Sequence, residues 1–395
     1  MERRFLKTII FISLLITSCQ QIPINESNKK FVDDNTDKQN LEIDLKKQEK
    51  IISYHSDIWS YILTNSSYTS DGLDEQTLMY MNRHLQDLDK FKEFLNDSYY
   101  FIFFVIEELE NAKLPIELAF LPYIESNYDP FSISSSGAVG MWQFMPRTGR
   151  TYDLERSWWN EDRHDPFKST SAAIKYLKYL YERFDQDLYL TLAAYNAGPS
   201  FLDRQIKRNQ RRGLNTDYWS LDLPIQTRNY VPKFIAIKEL IINSDQYDIE
   251  LPFIPYEPVV AKIEIPGQVE ILTLSEYLNI KPELLYKLNA GYTKWASAPS
   301  EKSVFYIPIE QYDYFQTSEN PFSDSNQINW ISHTVESGDN LWSLARKYDT
   351  EVKIIREINF LENDLLSINT TLLIPLSKTE SNNFIPYEMH IVSEG

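Results

Sequence analysis

The sequence predicts a mainly α-helical domain followed by small α+β modules with the element order β-α-α-β. Three observations lead to this fold class. Apolar residues recur at spacings of three and four between about residues 85 and 245, which is typical of packed helices. After Leu251 the chain becomes richer in proline and in β-forming residues. Residues 333–375 then alternate strand-like and helix-like segments, and parts of that pattern occur twice more in the chain.

Composition and charge indicate a globular protein that does not bind nucleic acid. The chain has 395 residues, which at about 150 residues per domain suggests two or three domains. With 39 Lys and Arg against 57 Asp and Glu, the net charge is −18, and such a charge opposes a surface that follows phosphates. Aromatic residues make up 14% of the chain, which either suits stacking on sugar rings or reflects a general enrichment in tyrosine.

Neither a disulfide nor a metal centre is expected. The chain has one cysteine, so an internal disulfide is impossible and zinc sites built from cysteines are excluded. The histidines are scattered, with no pair at the i, i+4 spacing of a helical metal site. They are His55, His84, His164, His333 and His390. We therefore predict no metal and no cofactor.

The N-terminus has the pattern of a lipoprotein signal peptide over residues 1–18. Basic residues within the first seven positions precede an apolar run that is too short to span a bilayer. The run ends in Ile16-Thr17-Ser18-Cys19, which resembles the bacterial lipobox. The resemblance implies a lipid on Cys19, and Gln20 favours the periplasmic face of the outer membrane. The alternative is an ordinary secretory signal that happens to contain a cysteine.

The remaining sequence divides into six segments that differ in composition and in apolar periodicity. Residues 20–40 are polar and lack apolar periodicity, which is typical of a tether. The predicted segments are the tether at 19–40, a helical lead-in at 41–84, the helical domain at 85–245, a linker with a degenerate module-like segment at 246–327, a module at 328–376, and a linker with the start of a truncated further module at 377–395.

Individual helices of the helical domain can be predicted from their ends. Ser169-Thr170 is the candidate N-cap of an amphipathic helix over residues 171–184. A second helix runs from Tyr189 to Ala197 and ends at Gly198-Pro199. A third helix runs from Tyr230 to Ile242.

The module at 333–375 has partial copies on both sides. The matching pairs are Leu284–Asn289 with Ile354–Asn359, Tyr306–Pro308 with Leu373–Pro375, and His390–Gly395 with His333–Gly338. The last match begins where the printed chain stops. We therefore expect either a longer natural gene product or a disordered remnant at this end.

Three segments of the helical domain carry candidate chemistry: IESNYDP at 124–130, GAVGMWQFMP at 137–146 and AAYNAG at 193–198. Glu125 ends an apolar helical stripe and precedes the glycine-containing loop. A carboxyl group in an apolar pocket has a raised pKa and can act as a general acid near neutrality. The alternative is an ordinary solvated glutamate at a helix end.

Together and in this order, the three segments resemble the soluble lytic transglycosylase (SLT) family, which has a goose-type lysozyme-like fold. The family pattern is Glu-Ser, then Gly-Leu-Met-Gln, then Ala-Tyr-Asn-Ala-Gly, and the second motif here is the variant Gly140-Met141-Trp142-Gln143. The segments Asp162–Pro166 and Gln226–Lys233 are similar to the membrane-bound lytic murein transglycosylase D subgroup, although Gln226 stands where Glu is usual. Residues 333–375 resemble LysM, a module that binds N-acetylglucosamine-containing glycans.

The resemblance implies a role for each matching residue. Glu125 would be the catalytic acid and base, Ser126 would orient its carboxyl or contact the sugar, and Tyr230 would reach the reacting centre. The implied substrate-binding residues are Ser126, Met141, Gln143, Tyr195, Asn196 and Tyr230. Trp142 and Phe144 either line the floor of a glycan groove or belong to the core. A structural polar network is expected from Asp162, Arg163 and Asp165, and turns are expected at Gly137, Gly140 and Gly198.

The implied function is that of a lipid-anchored lytic transglycosylase. Such an enzyme cleaves the β-1,4 bond between MurNAc and GlcNAc in peptidoglycan and leaves 1,6-anhydroMurNAc ends. Its partners would be peptidoglycan glycan strands and, through the anchor, a membrane. Two alternatives stay open: a non-catalytic glycan-binding scaffold, and a hydrolytic muramidase that uses Asp129 or Asp165 as a second carboxylate at about 5–9 Å.

The lipobox generates the first testable prediction. Cys19→Ala removes the thiol that would carry the lipid, so the protein should leave the membrane fraction. Fractionation followed by a salt wash measures this, and a variant that still sediments with membranes would contradict the lipoprotein assignment.

Overall fold

The structure of the chain is a computed structural model. It describes residues 57–66, 73–157, 159–298, 302–319, 322, 330–348, 350–359, 361, 363–375 and 391–392. Cys19, the predicted signal peptide at 1–18 and the predicted tether at 19–40 lie outside the described residues. The lead-in before residue 57 and most of the predicted further module at 377–395 also lie outside them.

The first part of the described chain is helical, as the sequence predicts. Its helices are α1 (Ile58–Asn65), α2 (Glu75–Leu85), α3 (Leu88–Asn96), α4 (Ile102–Ala112), α5 (Leu121–Glu125), α6 (Pro146–Thr151), α7 (Pro166–Arg183), α8 (Leu188–Ala197), α9 (Pro199–Arg211) and α10 (Ile225–Ile242). Short 3₁₀ helices cover Ile116–Phe120, Tyr218–Ser220 and Ser244–Tyr247, and a two-residue strand, β1, covers Ile133–Ser134. Of the helices in the described ranges, none has the length and apolar character needed to cross a bilayer.

Aspartate side chains cap the N-termini of five of these helices by accepting N–H groups of the first turn. The caps are Asp57, Asp74, Asp87, Asp165 and Asp187. The prediction that Ser169-Thr170 caps α7 was wrong, because Asp165 accepts the N–H groups of Phe167 and Lys168 and starts the helix one turn earlier. Ser169 and Thr170 are buried inside α7 instead.

Helix α10 is buried along most of its length and packs against α2 and α8. It begins at Ile225, before the predicted start at Tyr230, and ends at Ile242 as predicted. Phe234 of α10, Phe120 and Trp142 are all fully buried in the same helical core. This packing holds the Tyr230 side chain inside the domain, where it is 5% exposed.

Two modules of the order strand–helix–helix–strand follow the helical domain. The first module contains β2 (Val260–Pro266), α11 (Ile271–Leu278), α12 (Pro282–Leu288) and β3 (Lys302–Pro308). Helix α13 (Tyr312–Thr317) follows it. The second module contains β4 (Trp330–Thr334), α14 (Leu341–Lys347), α15 (Val352–Ile358) and β5 (Thr371–Pro375). Each strand pair is antiparallel, and each module has its own apolar core. A last short strand, β6 (Ile391–Val392), pairs in parallel with β1.

One asparagine makes the same three hydrogen bonds in both modules. Its side-chain amide donates to two backbone carbonyls, and its oxygen accepts a backbone N–H of the last strand, at distances of 2.7 to 2.9 Å. The partners are Leu285 and Tyr306 for Asn289, and Ile355 and Leu373 for Asn359. The segment that the sequence matched only in its second half therefore has the complete strand–helix–helix–strand order, with β2 supplying the missing strand.

The separate core of the second module generates a prediction. A fragment covering residues 328–378 should unfold cooperatively, because buried side chains of both helices and of strand β5 pack on one another within it. Asn359→Ala should lower its free energy of unfolding by about 1–3 kcal/mol, since three backbone groups lose their partner. Thermal and urea unfolding followed by circular dichroism measure both. An unfolded fragment would contradict the assignment of this core as independent.

Candidate active site

Glu125 is the last residue of helix α5, at the point where the chain turns sharply. Asn127 and Tyr128 both have left-handed backbone angles, with φ of 61° and 57°, so the helix cannot continue. Glu125 is partly buried, and burial raises the pKa of its carboxyl to about 7. A hydrogen bond from Tyr230 and the charge of Lys233 act in the opposite direction and lower that pKa. The environment is therefore not that of a solvated helix-end glutamate.

Tyr230 is the hydrogen-bond partner of this carboxyl. Its hydroxyl donates to Oε1 of Glu125, although the two residues are 105 positions apart in the chain. Burial and the neighbouring Glu125 raise the pKa of Tyr230 well above its ordinary value, so the hydroxyl keeps its proton and remains a donor. Lys233 lies one helical turn further along α10.

The loop at residues 137–144 is hydrogen-bonded to Ser126, the residue after α5, and its backbone conformation requires a glycine at position 140. Gly140 has a φ of +82°, and a Cβ atom there would lie 1.8 Å from the carbonyl oxygen of Arg163. Gln143 also has a positive φ, and its side-chain amide donates to the carbonyls of Gly140 at 2.8 Å and Ser132 at 3.3 Å. The Gln143 amide nitrogen therefore stabilises the loop on which it sits. We call residues 137–144 the active-site loop.

Two hydroxyl groups join the active-site loop to the helices. Ser126 donates to the carbonyl of Met141 at 2.7 Å, and Tyr195 of α8 donates to the carbonyl of Trp142 at 2.8 Å. The side chains of Met141 and Trp142 are fully buried, so they are core residues in this structure and not the floor of an open groove. For Met141, which the family resemblance placed among the substrate-binding residues, only the carbonyl takes part in the site.

Asn196 is the exposed member of the predicted set. It follows Tyr195 near the end of α8, and its Oδ1 accepts the hydroxyl of Thr227 in the first turn of α10 at 2.8 Å. Asn196 therefore joins the helix that carries Tyr195 to the helix that carries Tyr230. The structure thus connects Glu125, Ser126, Tyr195, Asn196 and Tyr230 with the active-site loop.

The segment at residues 161–165 forms the polar network that the sequence predicted, with one residue that it missed. Arg163 is 7% exposed, and its guanidinium makes two hydrogen bonds of 2.9 Å to the carboxylate of Glu161. The same guanidinium donates to the carbonyls of Phe144 at 3.0 Å and Gly137 at 3.3 Å. No pattern in the sequence marked Glu161, because its importance comes only from its partner. Arg163 thereby binds both ends of the active-site loop.

The two candidate second carboxylates, Asp129 and Asp165, accept hydrogen bonds from neighbouring residues of the chain. Asp129 accepts the N–H of Phe131 and the hydroxyl of Ser132, both at 2.9 Å. Asp165 caps α7, as described above. Across the described parts of the chain, no cluster of three or more His, Cys, Asp or Glu residues could hold a metal ion.

Two family models match parts of the chain. Residues 104–217 match the Transglycosylase SLT domain, and residues 333–375 match the LysM domain. Membrane-bound lytic murein transglycosylase D of Escherichia coli (strain K12) is 29% identical over 340 residues, which cover 82% of this chain and 74% of that protein. A putative tributyltin chloride resistance protein of Alteromonas sp. (strain M-1) is 37% identical over 106 residues, covering 27% of this chain and 51% of that one.

Two solved structures also match parts of the chain. The 70 kDa soluble lytic transglycosylase of Escherichia coli has a TM-score of 0.30 and 17% identity, covering 48% of this chain and 32% of that chain. An inactive mutant of the lytic transglycosylase Slt of Pseudomonas aeruginosa has a TM-score of 0.28 and 19% identity, covering 39% and 25%.

The site geometry predicts how Tyr230 acts on Glu125. Tyr230→Phe removes a donor to the ionised carboxylate, so the pKa of Glu125 should rise above about 7. A carbon-13 NMR titration of the glutamate carboxyl groups measures this. Tyr218→Phe is the matched control, because the Tyr218 hydroxyl donates to backbone carbonyls of Thr227 and Arg228. Equal pKa values in the wild type and Tyr230→Phe would contradict the electrostatic role of this bond.

Proposed function

We propose that this chain is a lytic transglycosylase and that Glu125 is its sole acid and base in the cleavage of peptidoglycan glycan strands. The matches to an SLT transglycosylase domain and, further along the chain, to a LysM domain support the proposal. The bond cleaved would be the β-1,4 bond between MurNAc and GlcNAc. The observation that carries this proposal is the environment of Glu125: a partly buried carboxyl whose pKa is raised to about 7 and which accepts a hydrogen bond from Tyr230. A general acid is most effective when its pKa lies near the working pH.

The first step uses the protonated form of Glu125. The carboxyl donates its proton to the glycosidic oxygen as the bond to the anomeric carbon of MurNAc breaks, and GlcNAc leaves as an alcohol. The positive charge that develops at the anomeric carbon needs a partner. The 2-acetamido oxygen of the same sugar can bond to that carbon and form an oxazolinium-like intermediate.

The second step uses the ionised form that the first step leaves. Glu125 accepts the proton of the sugar's own 6-hydroxyl while that oxygen bonds to the anomeric carbon and displaces the acetamido oxygen. The product is a 1,6-anhydro end, no water is consumed, and Glu125 is protonated again. A nucleophile within the same sugar ring competes well with water, because well-oriented intramolecular reactions have very high effective molarities.

Tyr230 and Lys233 suit the change of charge on Glu125 between the two steps. Both act on the ionised carboxylate and lower its pKa, while burial acts on it in the opposite sense. The balance leaves the two forms of the carboxyl close in free energy near neutral pH. A residue that must first give up and then take back the same proton needs that balance.

A hydrolytic muramidase of similar fold would need a second carboxylate to activate water or to bond to the sugar. The two candidates from the sequence, Asp129 and Asp165, accept hydrogen bonds within their own turns. Their engagement supports the lytic route over the hydrolytic one. The acid Glu125 with its raised pKa likewise argues against a non-catalytic scaffold.

The other domains extend the proposal to location and attachment. The LysM domain would bind N-acetylglucosamine-containing strands of the same polymer and keep the enzyme on its substrate. A lipid on Cys19 would hold the protein at the periplasmic face of the outer membrane. Both roles rest on the resemblance of these segments to known families.

The proposed chemistry predicts the loss of activity in Glu125→Gln. An amide cannot donate a proton to the leaving oxygen, so turnover of purified sacculi should fall by at least about 10²- to 10⁴-fold, the usual contribution of general acid–base catalysis. Glu182→Gln is the matched control, because Glu182 is exposed on α7. Mass spectrometry of the released muropeptides should find 1,6-anhydro ends from the wild type.

Two results would contradict this proposal in different ways. Reducing ends from the wild type would favour the hydrolytic muramidase. Full activity of Glu125→Gln would remove Glu125 from the catalytic role.

A further inference from the structure

The first strand–helix–helix–strand module, residues 260–308, packs against the helical domain, and we call it the docked module. Leu288 at the end of its helix α12 is fully buried in the core of the helical domain. Tyr306 of β3 stacks on Phe167 of α7, with ring centres 3.7 Å apart and an interplanar angle of 18°. Large apolar contacts therefore join the two parts.

Backbone hydrogen bonds continue this contact along one stretch of chain. The N–H of Glu161 donates to the carbonyl of Gly291, and the N–H of Thr293 donates to the carbonyl of Trp159, both at 2.9 Å. Gly291 lies so close to Asp165 that an added Cβ atom would be 2.8 Å from the Asp165 Cβ. The loop between α12 and β3 thus binds directly to the segment that contains the Glu161–Arg163 ion pair.

That ion pair connects the docked module to the active-site loop. The Glu161 carboxylate holds the Arg163 guanidinium, which donates to the carbonyls at both ends of the loop. The carbonyl of Arg163 lies against Gly140 in the middle of the loop. A displacement of residues 159–165 would therefore change the position of the loop.

The loop in turn holds the residues around Glu125. Its carbonyls at Met141 and Trp142 accept the hydroxyl groups of Ser126 and Tyr195. Phe131, between the Glu125 segment and the loop, packs against the apolar core of the docked module and gives a second connection. Contacts that begin in the docked module therefore reach the neighbours of Glu125 by two routes.

The second module has the same strand–helix–helix–strand fold but exposes the residues that are equivalent to those by which the docked module contacts the helical domain. Leu373 occupies the position of Tyr306, since both are bound by the equivalent asparagine, and Leu373 is 37% exposed. The loop before β5 carries Leu365 and Ile368, which are 82% and 60% exposed. The equivalent loop of the docked module instead binds the helical domain through Gly291 and Thr293.

We infer that the docked module is a working part of the catalytic domain, and that Tyr306 and Gly291 are positioning residues for the active-site loop. This inference rests on the proposed function of Glu125. The docked module acts through the Glu161–Arg163 pair and holds the loop against Ser126 and Tyr195, the neighbours of the carboxyl. Its role is to keep Glu125 desolvated and aligned, which is separate from any binding of glycan by the LysM domain.

The test compares Tyr306→Ala with two matched variants of the full chain. Tyr306→Phe keeps the stacking on Phe167, and Leu373→Ala makes the equivalent truncation in the second module. Cleavage of soluble peptidoglycan fragments is measured as kcat and KM across pH. Tyr306→Ala should lower kcat at least about tenfold with a smaller change in KM, because small misplacements of a catalytic group are costly.

The pH profile separates positioning from a general loss of stability. A looser loop admits water to Glu125, so the pKa on the alkaline limb should fall below the wild-type value in Tyr306→Ala. Tyr306→Phe and Leu373→Ala should keep the wild-type kcat and pH profile. If Tyr306→Ala does not fold, Gly291→Ala, which forces the two surfaces apart at Asp165, is measured in its place.

Two results would overturn the inference while the proposed function survives. One is a wild-type kcat and pH profile in the folded Tyr306→Ala or Gly291→Ala variant. The other is an equal loss in Leu373→Ala. Failure of the proposed function is distinguishable from both, because it would be seen as reducing ends released by the wild type or as full activity of Glu125→Gln.

Discussion

The buried ion pair between Arg163 and Glu161 is the interaction on which the candidate site depends. A buried guanidinium is costly unless it is paired and its N–H groups are satisfied. Glu161 neutralises the charge with two hydrogen bonds, and the loop carbonyls of Phe144 and Gly137 accept two more. The cation is therefore satisfied only when the active-site loop has its observed shape. Electrostatic free energy and loop geometry are coupled at this one side chain.

The loop matters because it binds Ser126 and Tyr195, which lie next to a carboxyl whose protonation is balanced between opposing effects. Burial raises the pKa of Glu125 and is the largest effect, while Tyr230 and Lys233 lower it. The net result of about 7 requires all three. Water at the carboxyl would weaken the effect of burial and lower the pKa, whereas loss of the Tyr230 hydroxyl would raise it. The burial of α10 in the helical core holds Tyr230 in place. The fold thereby affects the pKa of Glu125.

The two strand–helix–helix–strand modules share their internal hydrogen bonds but differ in what their outer faces contact. The asparagine bonds are the same in both, because they connect the second helix to the last strand inside the module. The outer face of the last strand differs: Tyr306 stacks on Phe167, whereas Leu373 is partly exposed. The internal bonds therefore define the module, and the outward side chains decide what it contacts.

The sequence by itself determined what depends on neighbours along the chain. Helical periodicity and the end of α8 at Gly198 are local, and they were enough to predict a helical domain. The order of the three motifs pointed to Glu125 through the resemblance to the SLT family, since the residues alone left a solvated glutamate open. Even local signals compete, which is why Asp165 and not Ser169 caps α7. The family resemblance implied that Tyr230 reaches the reacting centre, and the tertiary structure supplied its hydrogen bond to Glu125. Only the tertiary structure decided that Glu161 holds Arg163 against the active-site loop and that residues 260–308 pack on the helical domain. Tyr230 and Glu125 are 105 positions apart in the chain, so no local pattern pairs them. Glu161 and Arg163 are only two residues apart, but their pair matters because both side chains are buried, and burial is not encoded in residue spacing.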